Sequence, residues 1–126
     1  EYKAKVMTRP GANSGMYIHT QYQEEGWPEK GYEIQVNNSH TDWRRTGSVY
    51  GIQDVKVPPA NDDKWFTQHI IVKDNQITVK VDGKTINEYT VPAEGGKLSS
   101  GTFALQGHDP KSKVYYKDVM VKPLPD

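Results

Sequence analysis

Hydrophobic and polar positions alternate with a period of two along most of the chain, and the pattern is clearest in the middle. There IIVK-DN-QITVKV-DG-KTINEYTV reads as three strands joined by two-residue loops. Ile77, Val79 and Val81 fall on one face of this meander and Thr78 and Lys80 on the other. Asp82-Gly83 suits a type I′ turn, which needs positive φ at both central residues. Further period-two segments run from Tyr2 to Thr8, Met16 to Thr20, Tyr32 to Asn37, Ser48 to Ile52, Thr102 to His108 and Val114 to Val121, giving about nine strands. The stretches between them are rich in Gly, Pro, Asn, Asp and Ser and read as loops, and no segment carries a 3.6-residue apolar stripe. Many antiparallel strands without helices predict a sandwich or a barrel.

Strand alternation also separates the core from a second face. In Tyr32 to Asn37, the residues Tyr32, Ile34 and Val36 turn inward, which leaves Glu33, Gln35 and Asn37 together on the opposite side. In Met16 to Gln21, Met16 and Ile18 turn inward and Tyr17, His19 and Gln21 outward. In Thr102 to His108, Phe103 and Leu105 turn inward, and Ala104, Gln106 and His108 outward. An ordinary solvated strand face carries charges such as Lys80, whereas this one gathers carboxamides, imidazoles, a phenol and one carboxylate. Such groups donate to and accept from adjacent hydroxyls, and aromatic rings cover the C–H faces of a pyranose. That chemistry suits a neutral saccharide; the alternative is polar residues merely alternating on an exposed sheet.

Composition supports the all-β reading, with twelve Val and seven Ile against three Leu, three Met and five Ala. At 126 residues the chain fits one domain with a core of its own. Sixteen Lys plus Arg balance sixteen Asp plus Glu, so no net field attracts nucleic acid or anionic lipid. The absence of cysteine excludes disulfides, thiolate metal sites and cysteine nucleophiles. The apolar runs are too short to cross a bilayer as helices and the first residues do not read as a signal peptide, so a soluble chain without a transmembrane segment is expected.

The blocks PGANSGMYIHTQ, GYEIQVNN, TGSVYGI, DDKWFTQHIIVKDNQITVKVDGKTINEYT, GTFALQGHD and VYYKDVMVKPL, in this order, resemble the 3-keto-disaccharide hydrolase family from Glu1 to about Leu124. The resemblance implies an antiparallel two-sheet jelly-roll sandwich of the concanavalin A type, with a carbohydrate site on the concave face of one sheet. It also implies export from a bacterial cell, so that an extracellular or periplasmic location is expected, and action on glycosides oxidised to a ketone at carbon 3. Family domains usually begin with a segment carrying a phenylalanine-asparagine-glycine-lysine motif before the strand matching Tyr2 to Thr8. That segment is missing here, and residues 1–126 are therefore expected to form one jelly-roll domain lacking the family's first segment.

A ketone at carbon 3 acidifies the neighbouring C2–H, and the enediolate left by its removal can expel the glycosidic oxygen. Such a site needs a base, an electrophile on the ketone oxygen and an acid for the leaving group. Glu33 is the expected base or a metal-binding carboxylate, the rival role being to accept sugar hydroxyls. His108 is the expected acid or a metal ligand, and His19 would complete a set of two imidazoles and one carboxylate around a divalent metal ion. Tyr17, His19, Gln21, Gln35, Asn37, Tyr50 and Gln106 are expected to meet the saccharide. Trp27 and Trp43, in loops, either stack on the sugar or plug the sandwich rim. A two-carboxylate glycosidase finds only Glu33 on this face, with Asp42 and Asp109 as loop candidates. Trp65 is expected in the core, His69 in a structural role and Arg44-Arg45 at a solvated loop edge, from which one arginine could reach the sugar. The alternative to an enzyme is a non-catalytic carbohydrate-binding module on the same fold.

Overall fold

The computed structural model describes residues 1–20, 32–73, 76–90, 102–105 and 112–122. They form eight strands: β1 (Tyr2–Thr8), β2 (Ser14–Thr20), β3 (Tyr32–Val36), β4 (Phe66–Lys73), β5 (Gln76–Val81), β6 (Lys84–Thr90), β7 (Thr102–Leu105) and β8 (Val114–Val121). Every pairing is antiparallel. One sheet has the order β6-β5-β4-β1-β8 and the other β3-β2-β7, and the two pack as the sandwich of a jelly-roll, lectin-like fold. Among the described residues no helix is long and apolar enough to cross a membrane.

Alternation builds the core from both layers. Tyr2, Ala4, Val6, Phe66, Ile70, Ile77, Val79 and Val81 come from the five-stranded sheet and meet Met16, Ile18, Tyr32, Ile34 and Val36 from the other. Among the described residues, two polar side-chain contacts join strands of the two layers. The Ser14 and Tyr116 hydroxyls lie 2.7 Å apart, joining β2 to β8, and the Gln68 amide reaches the Met16 sulfur at 3.3 Å, joining β4 to β2. The β5–β6 turn has the expected form, with φ of 51° at Asp82 and 82° at Gly83.

Three expectations are corrected. Ser48 to Ile52 does not form a full strand, because the chain reverses at Tyr50–Ile52 and Val49 bridges both Ile34 and Gln53. The segment nevertheless runs along β3: Gln35 N–H donates to Ser48 C=O, Gly47 N–H to Gln35 C=O and Tyr50 N–H to Glu33 C=O. Trp65 is 42% exposed, since it precedes inward-facing Phe66 and alternation turns it outward. Leu105 is 40% exposed although its partner Met16 is buried, because β7 is an end strand of the three-stranded sheet.

Candidate active site

The site is built on the face of β2 and β3 turned away from the core. Tyr17 and Glu33 are direct cross-strand partners, and Gly15 stands opposite Gln35. A methyl group at Gly15 would collide with the Glu33 carboxylate, so that side chain lies directly over the glycine. Gly15 therefore provides the space in which the carboxyl rests.

The loop from Asn37 to Gln53 returns along the edge of β3, and hydrogen bonds hold several of its residues. Asn37 is completely buried, donating through Nδ2 to the Asp42 and Arg44 carbonyls and accepting through Oδ1 from His40 N–H and Arg45 Nη1. All four hydrogen-bonding capacities of its amide are used, which fits it as the peg of the loop and leaves nothing to offer a sugar. Arg45, expected at a solvated edge, also donates to the His40 carbonyl. Gln35 is likewise buried, with Nε2 donating to Asn13 Oδ1 at 2.9 Å while its Oε1 is buried without a partner. From the opposite sheet, Asn87 of β6 donates to the Gly47 and Gln53 carbonyls, so the loop is anchored to both layers.

This packing brings Asp42, Arg44 and Tyr50 toward Glu33. The Tyr50 hydroxyl donates to Asp42 Oδ2 at 2.8 Å. Arg44 lies 3.5 Å from Asp42 and 3.4 Å from Asp54, with its guanidinium 5.1 Å from the Trp43 ring and 4.7 Å from the Tyr50 ring. Arg44 thus links two aromatic rings to two carboxylates, where a solvated edge was expected. Trp43 itself is 48% exposed.

The two carboxyls are driven in opposite directions. Burial, reinforced by the negative charge of Asp42, raises the Glu33 pKa to about 7. Burial also pushes Asp42 upward, but the Arg44 N–H, the Tyr50 hydroxyl and the Arg44 guanidinium together outweigh it and hold Asp42 below the usual carboxylate range. Tyr17 is raised by burial and by the charge of Glu33, so its phenol stays protonated. The face thus combines a carboxyl that titrates near neutrality, one that stays ionised and a neutral phenol, with a partly exposed indole on the adjoining loop.

The 3-keto-alpha-glucoside-1,2-lyase-like domain family matches residues 1–122. The chain belongs to this family. Two crystal structures of candidate glycosyl hydrolases from Parabacteroides distasonis ATCC 8503 share the lyase-like domain's fold. One superposes with a TM-score of 0.76 at 22% identity over 94% of this chain and 68% of that one, and the other with 0.72 at 18% over 94% and 74%. A search of curated proteins finds no match.

Of the residues expected to serve this lyase-like domain, Glu33, Tyr17, Gln35 and Tyr50 gather on one face, and Trp43 adjoins them through Arg44. Gln21, Trp27, Gln106, His108 and Asp109 lie outside the described residues, as does the His19 side chain. Among the described residues no group of three His, Cys, Asp or Glu side chains is placed to hold a metal ion. Sequence reasoning did not single out Gly15 or Asn87 for the site, and named Arg44 only as one of two loop-edge arginines. The N-S-G block contained the first, but only the pairing of β2 with β3 reveals which side chain fills its space.

Proposed function

We propose that this domain binds a 3-keto-glycoside on the β2–β3 face and cleaves it by proton abstraction beside the ketone followed by elimination, with Glu33 as the base. One observation carries the reading: Glu33 is a partly buried carboxyl over Gly15 whose pKa of about 7 suits a base working near neutral pH. Glu33 takes the C2 proton and the electron pair moves into the enediolate. Expulsion of the glycosidic oxygen then breaks the C1–O bond as a C1–C2 double bond forms, and the leaving oxygen takes a proton from water. Asp42, kept ionised by Arg44 and Tyr50, keeps Glu33 basic and anchors the Tyr50 ring. The exposed Trp43 ring offers an apolar surface to the sugar's C–H face. The resemblance to exported bacterial proteins supports work in an extracellular or periplasmic setting.

The test is turnover of a 3-keto-disaccharide by the protein and by Glu33→Gln, followed as release of the second sugar. Loss of turnover by about a hundredfold or more with retained binding is expected of the variant. Unchanged turnover would remove Glu33 from the chemistry. Binding without turnover by the unmodified protein would favour the non-catalytic module, a reading to which the exposed Trp43 also lends itself.

A further inference from the structure

The opposite side of the molecule carries a second group of residues suited to saccharide. Along β1 the side chains of Tyr2, Ala4 and Val6 enter the core, so Lys3, Lys5 and Met7 stand on the outer face of the five-stranded sheet. In β8 their partners are Met120 opposite Lys3, Lys117 opposite Lys5 and Tyr115 opposite Met7. Trp65 joins this face from the start of β4, because Val6 pairs with Phe66 and the indole turns outward beside Met7. Trp65 and Tyr115 are 42% and 43% exposed and flank Met7 from the strands on either side of β1. Two strand spacings separate them, roughly 10 Å, which suits sugars along one chain better than a single monosaccharide.

Cations are interleaved with these rings. The Lys117 ammonium lies 4.0 Å from the centre of the Trp65 ring, and the Arg9 guanidinium 5.8 Å from that of Tyr115. Beside them, Lys3, Lys5, Thr67, Asp118 and Met120 line a hollow of about 320 Å³. Lys5 is paired with Asp118 at 3.4 Å and Arg9 with Asp63 at 2.8 Å, which leaves Lys3 and Lys117 without a carboxylate partner among the ion pairs of the described residues. The Glu1 carboxylate on this face is held by His69, opposite Lys3, at 2.9 Å, so Lys3 and Lys117 leave positive charge around the two exposed rings of a chain with no net charge.

We infer that the outer face of β1, β4 and β8 is a second saccharide-binding site, selective for an acidic glycan such as a uronic-acid oligosaccharide. The sugar rings lie along Trp65 and Tyr115. The Lys117 ammonium moves from the indole face to a sugar carboxylate, exchanging a cation–π contact for a charge-assisted hydrogen bond. Lys3 meets a second carboxylate over the hollow. A lipid surface would call for a broader apolar patch than Trp65, Tyr115 and Met120 provide among four cations, and duplex nucleic acid for a longer basic track, so a carboxylated glycan fits best the combination of flat rings with few cations. The site is separate from Glu33 and stands whether or not the β2–β3 face is catalytic.

Affinity electrophoresis in native gels containing polygalacturonate, with neutral xylan, duplex DNA and anionic phospholipid vesicles in parallel gels, tests the inference. Retardation by polygalacturonate, weaker in added salt and absent with xylan, is expected. Trp65→Ala and Lys117→Ala should each weaken it about tenfold, with Trp65→Tyr restoring most of it. Glu33→Gln should be retarded as strongly as the unmodified protein, which separates this site from the other. No retardation, equal retardation by xylan, DNA or vesicles, or a Trp65→Ala variant that binds unchanged would each overturn it.

Discussion

Glu33 shows how one position sets both chemistry and stability. Its pKa stands at about 7 in the folded chain against the ordinary 4.5, so below pH 4.5 the proton is held in both states and no stability is lost. Between 4.5 and 7 the unfolded chain releases the proton while the folded one keeps it, so stability falls as pH rises through this window and levels off above it. The total loss is about 3 kcal/mol. Denaturant titrations at several pH values should show this decline in the unmodified protein and not in Glu33→Gln. Catalysis follows the opposite sign, since a base must be deprotonated: kcat/KM should rise with pH through about 7. Asp42→Asn removes a negative charge that raises Glu33, so that limb should move to lower pH in a pH–rate profile. Gly15→Ala places a methyl group where the Glu33 carboxyl rests; a drop in turnover of about tenfold or more is expected, with the β2–β3 pairing intact by circular dichroism.

At the scale of elements, strands were legible and the loop was not. Period-two alternation located β1, β5 and β8 to the residue, because β1 and β5 bury one face against the core and β8 packs Val114 and Tyr116 partly against it. The same rule put Glu33, Gln35 and Asn37 on one face, yet it could not say that the chain from Asn37 to Gln53 returns alongside β3. That return is held by contacts distant in sequence, such as Asn87 with Gly47 and Gln53, which leave no local pattern. Asn37 therefore reads as a ligand in the sequence and serves as a buried peg in the fold. Asn87 looks like one polar residue in a strand, yet its amide satisfies two loop carbonyls. Asn87→Ala should cost about 2 kcal/mol in chemical denaturation and should also lower turnover, because the loop carries Asp42 and Tyr50.

At the scale of the molecule, two sheets of unequal width share one apolar core, and few polar contacts cross between them. The Ser14–Tyr116 pair is one, where burial holds the Tyr116 phenol in its neutral form. Tyr116→Phe leaves the Ser14 hydroxyl with one partner fewer, and a loss of about 1 kcal/mol is expected in thermal or denaturant unfolding, with turnover little changed. The all-β class was readable from the abundance of Val and Ile and from the meander, and the two-layer arrangement was what the family resemblance implied. The exposure of Trp65 was obscured by its position next to Phe66, where one step of register separates core from surface. The anchoring of the Asn37–Gln53 segment to β6 bears on protein engineering. A designer who transplants this segment as a cassette onto another scaffold must graft an asparagine from the facing layer as well, or the borrowed chemistry will arrive without its support.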